Sequence, residues 1–245
     1  DWSSDVCSSD LTARVAEGRI TGVKSLVAAG DQADAFIVPV RVSGADDAPE
    51  GIALYLVERG AAGVNTRAYG LFDGSRAAEV HFNDAPGHLI AGPDTGFALL
   101  ELAADMGIAA QAAEAVGVME QYLALTVDYL NTRKQFGVAI SSFQALRHRT
   151  ADVKMQLELA RSMSYYATLR LGDAPAVRRR ALSQAKVQLG NAMRFVGQQC
   201  TQLHGGIGVT DEYICSHYFK RLTVMAMQRG DGLHHLGEVG ARMTE

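Results

Sequence analysis

The sequence predicts an α+β fold, in which a partial antiparallel β-domain is followed by an up-and-down four-helix bundle. Up to about Asp94, short β-rich runs follow one another between Gly, Asp and Pro residues without intervening helical segments, which favours an antiparallel sheet. Beyond Thr95, three long stretches carry apolar residues at three- and four-residue steps and are joined by short links, as in a helical bundle. We therefore expect one domain over residues 12–94 and a second over residues 95–245.

The strand signals of the first domain differ in strength. Residues 36–42 and 52–57 are the strongest, because they are rich in β-branched and aromatic side chains, and residues 22–28, 61–68 and 77–82 are weaker. Residues 1–11 are rich in Ser and Asp and lack the basic and apolar regions of a signal peptide. We interpret them as a non-native leader that takes no part in the fold.

The helical part begins with an apolar stripe of about 30 residues between Leu99 and Leu130. A second helix is expected over residues 142–171, where a Gly-Asp-Ala-Pro sequence ends it, and Pro175 suits the first turn of a third helix. Shorter helices are expected over residues 211–222 and 233–243. Arg178, Arg179 and Arg180 are interpreted as a solvated face of the third helix.

The third helix ends at a glycine-rich segment, residues 202–208, with three glycines among its last four residues. Gly205 and Gly206 lie where a helix C-cap favours positive φ, so they could serve only as a cap and a turn. Alternatively, the missing side chains let a flat or phosphorylated ligand approach backbone N–H groups. A dinucleotide fingerprint is excluded, because a helix and not a strand precedes these glycines.

Composition excludes several classes of function. The net charge of −4 gives no basic surface for nucleic acid, and no run of about 18 apolar residues predicts a membrane span. The three cysteines, Cys7, Cys200 and Cys215, form no disulfide framework and indicate a reducing cytoplasm. No metal site is expected, because the spacing of the Cys and His residues between 200 and 217 matches no usual zinc site.

A guanidinium, an amide and an aromatic ring lie close together after the first long helix, in Arg133, Gln135 and Phe136. Such a set suits contact with a phosphate and a flat ring, although cationic residues also complement a helix C-terminus. The order and spacing of several segments resemble the acyl-CoA dehydrogenase family, in particular the small subunit of pimeloyl-CoA dehydrogenases. These segments are Arg133-Lys134-Gln135-Phe136-Gly137, Phe143-Gln144-Ala145-Leu146, residues 202–208 and Gly230-Asp231-Gly232.

The resemblance runs from about Gly22 to the end of the chain and implies a three-domain architecture. In that family an N-terminal helical domain and a middle β-domain precede a C-terminal four-helix bundle, and the chains assemble as dimers or tetramers. Residues 12–94 would then be a partial middle domain, and the N-terminal domain would be missing. The 245-residue chain alone is therefore expected to be inactive.

The resemblance also implies FAD as cofactor and the α,β-dehydrogenation of an acyl-CoA thioester, with an electron-transfer flavoprotein that reoxidises the flavin. Residues expected to contact FAD, the last four across a subunit interface, are Arg133, Gln135, Phe136, Phe143, Gln144, Gln202, Leu203, Gly205 and Gly206. Asp105 and Gly232 are expected near the substrate.

Asp231 takes the place of the family's catalytic glutamate, whose carboxylate removes the Cα proton. Aspartate is shorter by about 1.5 Å, and a misplacement of about 1 Å can cost a hundredfold in rate. The alternative base position of the family is filled by Gly107, which cannot serve. His234 and His235 either line this site or lie exposed on the last helix.

Two other functions stay open at this point. The replaced base is compatible with a non-catalytic structural subunit that completes the FAD site of a heteromeric partner. A flavin oxidase or monooxygenase on the same fold is the third possibility, and oxygen consumption without an electron-transfer flavoprotein would distinguish it.

Overall fold

The computed structural model describes residues 11–243, and the chain divides into two compact units between Ala104 and Asp105. Residues 1–10, which include Cys7 and most of the expected leader, lie outside the described residues. Leu11, the last residue of that leader, is described: its side chain is buried and its N–H donates to the carbonyl of Asp46 at 2.8 Å.

The first unit is built around a sheet whose strands alternate between core and solvent. The strands are β1 (Arg14–Ala16), β2 (Arg19–Ala28), β3 (Ala35–Arg41), β4 (Ile52–Glu58), β5 (Val64–Gly70), β6 (Arg76–Pro86) and β7 (His88–Ala91). In β3, Phe36, Val38 and Val40 are buried while Ile37 between them is exposed, so one face of the sheet forms the core.

The strand order of this sheet is β5-β6-β2-β1-β3-β4-β7. Neighbouring strands run antiparallel, as predicted, except that β1 pairs in parallel with β3 at Arg14 and Arg41. The strong strand signals correspond to β3 and β4. The sequence did not predict β1 and β7, because three and four residues are too few to produce a clear alternating pattern.

Helices follow the sheet, which confirms the predicted fold class. They are α1 (Gly96–Thr132), α2 (Gln144–Leu169), α3 (Pro175–His204), α4 (Ile214–Met227) and α5 (Gly232–Ala241). From Asp105 onward they form the second unit, in which α3 packs against α2, α4 and α5. Its core consists of small and apolar side chains from α1, α2, α3 and α4, among them Met119, Leu157, Leu189 and Leu222.

Helix α1 is the one helix among the described residues that is long and apolar enough to cross a membrane, by length and composition alone. Core helices of globular proteins pass the same test. We interpret α1 as a core helix, because it contributes buried side chains such as Ile108, Met119 and Tyr122 to the hydrophobic core of the second unit.

The structure corrects the interpretation of the arginine run on α3. Arg178 is only 7% exposed, and its Nε donates to the Asp105 carboxylate of α1 at 2.7 Å. Arg179 lies 3.8 Å from the other oxygen of the same carboxylate, whereas Arg180 is exposed as predicted. The prediction of a solvated face was wrong for Arg178, because its charge is neutralised by a partner far away in sequence.

Candidate functional site

A short hairpin follows α1 and presents an aromatic ring to solvent. Its strands, β8 (Lys134–Gln135) and β9 (Val138–Ala139), are joined by Phe136 and Gly137, whose φ angles of +53° and +80° define a two-residue turn of the primed type. Positive φ is unfavourable for a bulky residue such as Phe136. Its ring is 90% exposed and lies edge-on to the Phe143 ring, with centroids 6.1 Å apart. Backbone strain of this kind, at a residue whose ring is exposed, is typical of sites that contact a ligand.

Several polar side chains in and beside this hairpin are exposed to solvent. The backbone of Arg133 is fixed, because its N–H donates to Tyr129 at 2.8 Å and its carbonyl accepts from Ile140 at 2.9 Å. The Arg133 guanidinium is exposed and has no ion-pair or hydrogen-bond partner among residues 11–243. The side chains of Gln135 and Gln144 are exposed as well. A cation and two amides are therefore accessible beside the aromatic ring.

The glycine-rich segment turns out of α3 and exposes bare backbone. Gly205 ends the helix with φ +63° and ψ −142°, a conformation that favours glycine, and its N–H donates to Gln202. At Gly206 a Cβ atom would meet no heavy atom within 4 Å, and both glycines are exposed. Gly208 is different, since a Cβ there would lie 2.7 Å from the carbonyl oxygen of Thr201. The prediction of a positive φ is confirmed for Gly205 and wrong for Gly206, and the open backbone leaves room for a ligand.

An aromatic contact brings the hairpin and the glycine segment to the same end of the bundle. The Tyr129 ring, near the end of α1, lies 4.6 Å from the ring of His204, the last residue of α3. His204 is buried, its Nδ1 donates to the Cys200 carbonyl at 2.8 Å, and burial lowers its pKa. The neutral ring is thus a fixed part of the helix end that carries Gly205.

Asp231 lies in the turn between α4 and α5 and caps the last helix. Its Oδ1 accepts hydrogen bonds from the N–H groups of Leu233 at 3.0 Å and His234 at 2.8 Å. The carboxylate is exposed. The preceding residues, Arg229 and Gly230, both have positive φ, at +60° and +85°. Position 231 therefore combines an accessible carboxylate with a structural role as helix cap.

The sequence also indicated Gly107 as the alternative base position and Asp105 and Gly232 as substrate contacts, and these three positions have different surroundings. A Cβ atom at Gly107 would collide with the guanidinium of Arg229, so a side chain there requires that Arg229 move. Asp105 is buried against Arg178, and its carboxylate is already engaged. Gly232 is half-buried, and a Cβ there would meet no atom within 4 Å. Roles in substrate contact for Asp105 and Gly232 stay predictions.

His235 connects the turn between α4 and α5 to α3 through two hydrogen bonds. Its Nε2 lies 2.8 Å from the Arg229 carbonyl oxygen and its Nδ1 lies 3.1 Å from the Ser183 hydroxyl. A carbonyl can only accept, so Nε2 carries the proton and Nδ1 accepts from Ser183. The side chain is 4% exposed, and burial lowers the pKa of His235 to about 4. His235 therefore acts as a neutral, buried connector and not as an exposed histidine.

Stability is expected to fall when the pH drops from 6.5 to 4, because in this range the unfolded chain binds a proton at position 235 that the folded chain does not. Stability rises with pH wherever the unfolded state binds more protons. A folded pKa of about 4 against an ordinary value of 6.5 corresponds to a change of about 3 kcal/mol. Urea unfolding between pH 4 and 7 measures it. In His235→Gln, which keeps His204, this part of the pH dependence should disappear; an unchanged pH dependence would contradict the assignment.

The Asp231 turn and the glycine segment lie far apart along the bundle. Lys186 of α3 donates to the Gln228 carbonyl of the turn at 2.7 Å, whereas Gly205 directly follows the last residue of the same helix. At 1.5 Å per residue, Lys186 and Gly205 are about 28 Å apart along the helix axis. Within one chain, the expected base and the expected FAD-binding backbone do not meet.

Comparison with known proteins gives a family match that covers more than half of the chain. Residues 94–244 match the model of the acyl-CoA dehydrogenase C-terminal domain. The short-chain-specific acyl-CoA dehydrogenase of Megasphaera elsdenii is 28% identical over 220 residues, which are 86% of this chain and 56% of that enzyme. Acyl-CoA dehydrogenase IpdE2 of Mycobacterium tuberculosis is 38% identical over 129 residues, or 53% of this chain and 37% of that protein.

Among solved structures, a chain of the ChsE4–ChsE5 complex from Mycobacterium tuberculosis superimposes with a TM-score of 0.84 at 25% identity. The similarity covers 97% of this chain and 65% of that chain. The present chain thus spans between about one third and two thirds of the proteins that it matches.

Proposed function

Because the chain belongs to the acyl-CoA dehydrogenase family, we propose that the whole protein uses FAD to remove hydrogen from the α and β carbons of an acyl-CoA thioester. The observation that carries this proposal is the exposed ring of Phe136, held in a strained turn beside the accessible guanidinium of Arg133. An aromatic ring next to a cation fits a ligand that combines a flat ring system with phosphates. The finer resemblance to pimeloyl-CoA dehydrogenases stays a prediction.

The chemistry of the donor groups fits FAD. Arg133 supplies a cation for the pyrophosphate, the rings of Phe136 and Phe143 supply flat apolar contacts, and bare backbone is open at Gly205 and Gly206. The Leu203 side chain is buried, so this residue can contribute only its backbone. Further exposed amides that could bind the cofactor belong to Gln135, Gln144 and Gln202.

We infer that the active protein is an oligomer in which two chains contribute to each FAD site. The distance of about 28 Å between Lys186 and Gly205 along α3 supports this. One ligand would have to extend over that distance along the bundle to contact both the Asp231 turn and the glycine segment of a single chain. A neighbouring chain can instead place its glycine segment beside the Asp231 turn. The similarity to a chain of the ChsE4–ChsE5 complex is compatible with a heteromer as well as with a dimer or tetramer of one chain.

The chain's own contribution to the reaction centres on Asp231. When bound, FAD supplies the hydride acceptor. We propose that Asp231 takes the Cα proton, and two features support this: its carboxylate is exposed, and two backbone N–H groups hold it in a fixed orientation. We assign reoxidation of the flavin to a separate electron-transfer flavoprotein. A cytoplasmic location fits the two described cysteines, Cys200 and Cys215, which are both free and buried.

A second candidate function is that of a non-catalytic subunit that completes the FAD site of a different chain. The observation in its favour is that the Asp231 carboxylate already accepts two hydrogen bonds as helix cap. Position 107 cannot replace it, because glycine has no carboxylate. Under this alternative the chain would bind FAD with its hairpin and glycine segment and contribute no base.

Gly206→Ala in the complete protein tests FAD binding without disturbing the fold. A Cβ at Gly206 meets no protein atom within 4 Å, so the free energy of unfolding should change by less than about 0.5 kcal/mol. A ligand that packs on this backbone would be displaced, and FAD affinity, measured by titration of the apoprotein, should fall about tenfold.

Two further variants serve as controls for Gly206→Ala. Gly205→Ala is expected to destabilise the fold by about 1–3 kcal/mol, because of its positive φ. Gly117→Ala, at an open position within α1, should leave FAD affinity unchanged. Unchanged FAD affinity in Gly206→Ala would mean that the glycines serve only as a cap and a turn.

A further inference from the structure

Lys186 is a buried lysine whose ammonium group is directed at the end of α4. Its side chain is 2% exposed. The Nζ atom donates at 2.7 Å to three acceptors: the side-chain oxygen of Gln111 and the backbone carbonyls of Met225 and Gln228. An ammonium has three donors, so each finds an acceptor here. The carbonyls belong to the C-terminal end of a helix, where a positive charge is stabilised.

The residues that Lys186 contacts are connected to one another. Gln111 uses its side-chain oxygen for Lys186 and donates from Nε2 to the side-chain oxygen of Gln228 at 3.0 Å. Gln228 is therefore held through both its backbone carbonyl and its side chain. The next carbonyl, that of Arg229, accepts from His235 at 2.8 Å. Both carbonyls that precede Gly230 are thus bonded to buried side chains of other elements.

This anchoring acts on a strained segment. Arg229 and Gly230 both have positive φ, and for Arg229 this conformation is unfavourable. Such a turn persists only where its surroundings hold it. Without Lys186, the Gln228 carbonyl would lose its charged donor, and the turn could relax to a less strained path. Asp231 follows this turn directly, so its carboxylate would move with it.

We propose that Lys186 is a positioning residue: through the carbonyls of Met225 and Gln228 it fixes the turn between α4 and α5 and thereby the carboxylate of Asp231. Its importance for turnover rests on the proposed function, whereas its effect on the turn does not. Removing Lys186 also leaves three acceptors inside the bundle without their charged donor, which lowers stability by itself. The experiment must therefore separate a local effect from a global one.

Hydrogen exchange of the Leu233 and His234 amides in the present chain measures the local effect, because both amides donate to Asp231. In Lys186→Met these two amides should exchange about tenfold faster than in the wild type, relative to amides in the middle of α2. Met119→Ala is the matched control: it removes a fully buried side chain of α1 and weakens the same core at a position outside both the turn and the reference amides of α2. An equal acceleration of the two amides in Met119→Ala, or none in Lys186→Met, overturns the proposal.

A milder variant keeps the test decisive if Lys186→Met does not fold. Lys186→Gln keeps a hydrogen-bond donor in the core but removes the charge and shortens the side chain, so the carbonyls of Met225 and Gln228 lose their charged donor. Leu233 and His234 should again exchange faster, by about threefold, while the middle of α2 is unaffected. Unchanged exchange of these amides in Lys186→Gln would then refute the proposal.

Steady-state kinetics of the complete protein give the second measurement. Lys186→Met should lower kcat by about ten- to a hundredfold, the effect expected of a base displaced by about 1 Å, with KM within about threefold. Lys186→Arg, which retains the charge, should recover part of kcat. A wild-type protein that binds no FAD and shows no turnover would refute the proposed function, yet the exchange measurement would still decide the role of Lys186. A kcat unchanged in Lys186→Met would overturn its importance for turnover.

Discussion

Asp231→Asn in the complete, assembled protein is expected to lower kcat by about 10²- to 10⁴-fold, the range that general-base catalysis contributes. The amide of asparagine cannot accept the Cα proton. Substrate binding does not require the negative charge, so KM should change little by comparison. The measurement is steady-state turnover of an acyl-CoA with an artificial electron acceptor, on protein with its full complement of FAD.

Asp231→Asn removes the base and keeps the helix cap, because asparagine caps a helix about as well as aspartate does. The bonds from Leu233 and His234 to position 231 are therefore retained, and the free energy of unfolding should stay within about 0.5 kcal/mol. Asp231→Ala removes both functions and should lose about 1 kcal/mol of stability in addition to turnover. The comparison of the two variants distinguishes a base from a cap.

Asp152→Asn, on the exposed face of α2, is the matched control for the loss of one carboxylate and should leave turnover unchanged. If Asp231→Asn turns over like the wild type, Asp231 is a helix cap only. The chain would then be the non-catalytic subunit, and the base would come from another polypeptide.

Local sequence signals were sufficient for most of the fold. The apolar stripe of α1, the break before Pro175 and the glycines after His204 gave the three long helices to within a few residues. Their patterns depend on side chains three or four positions apart, which the sequence displays directly. The hairpin of β8 and β9 was missed, because its turn consists of Phe136 and Gly137, and phenylalanine is not a residue that favours positive φ.

The polar contacts of the second unit could not be predicted in the same way. Lys186 lies between Ala185 and Leu189 on a helix whose pattern assigns it no partner, and its acceptors are far away in sequence. The sequence left His235 open between lining the site and lying exposed, and neither alternative included its hydrogen bonds to Ser183 and the Arg229 carbonyl. Pairings of this kind depend on tertiary packing, so a local pattern contains no information about them. The turn that holds Asp231 is fixed by such contacts.

Arg178→Met is expected to destabilise the chain by about 3–5 kcal/mol, the range measured when one partner of a buried ion pair is removed. The Asp105 carboxylate is 2% exposed, and Arg178 donates to it at 2.7 Å. Arg179, at 3.8 Å, is a weaker partner and does not restore the lost hydrogen bond. Urea unfolding measures the loss. Arg180→Met, which removes the exposed neighbouring charge, should change stability by less than about 0.5 kcal/mol.

The double variant Asp105→Leu/Arg178→Met tests how much the buried ion pair contributes to the free energy of unfolding. Replacing a buried ion pair by apolar side chains of similar volume is often neutral, because neither charge must then be desolvated. The double variant should therefore recover most of the stability lost in Arg178→Met. If it does, Asp105 and Arg178 are structurally replaceable, and full turnover of the double variant in the complete protein would exclude substrate contact by Asp105. If turnover is lost while stability returns, the carboxylate at position 105 serves the reaction, as the sequence predicted.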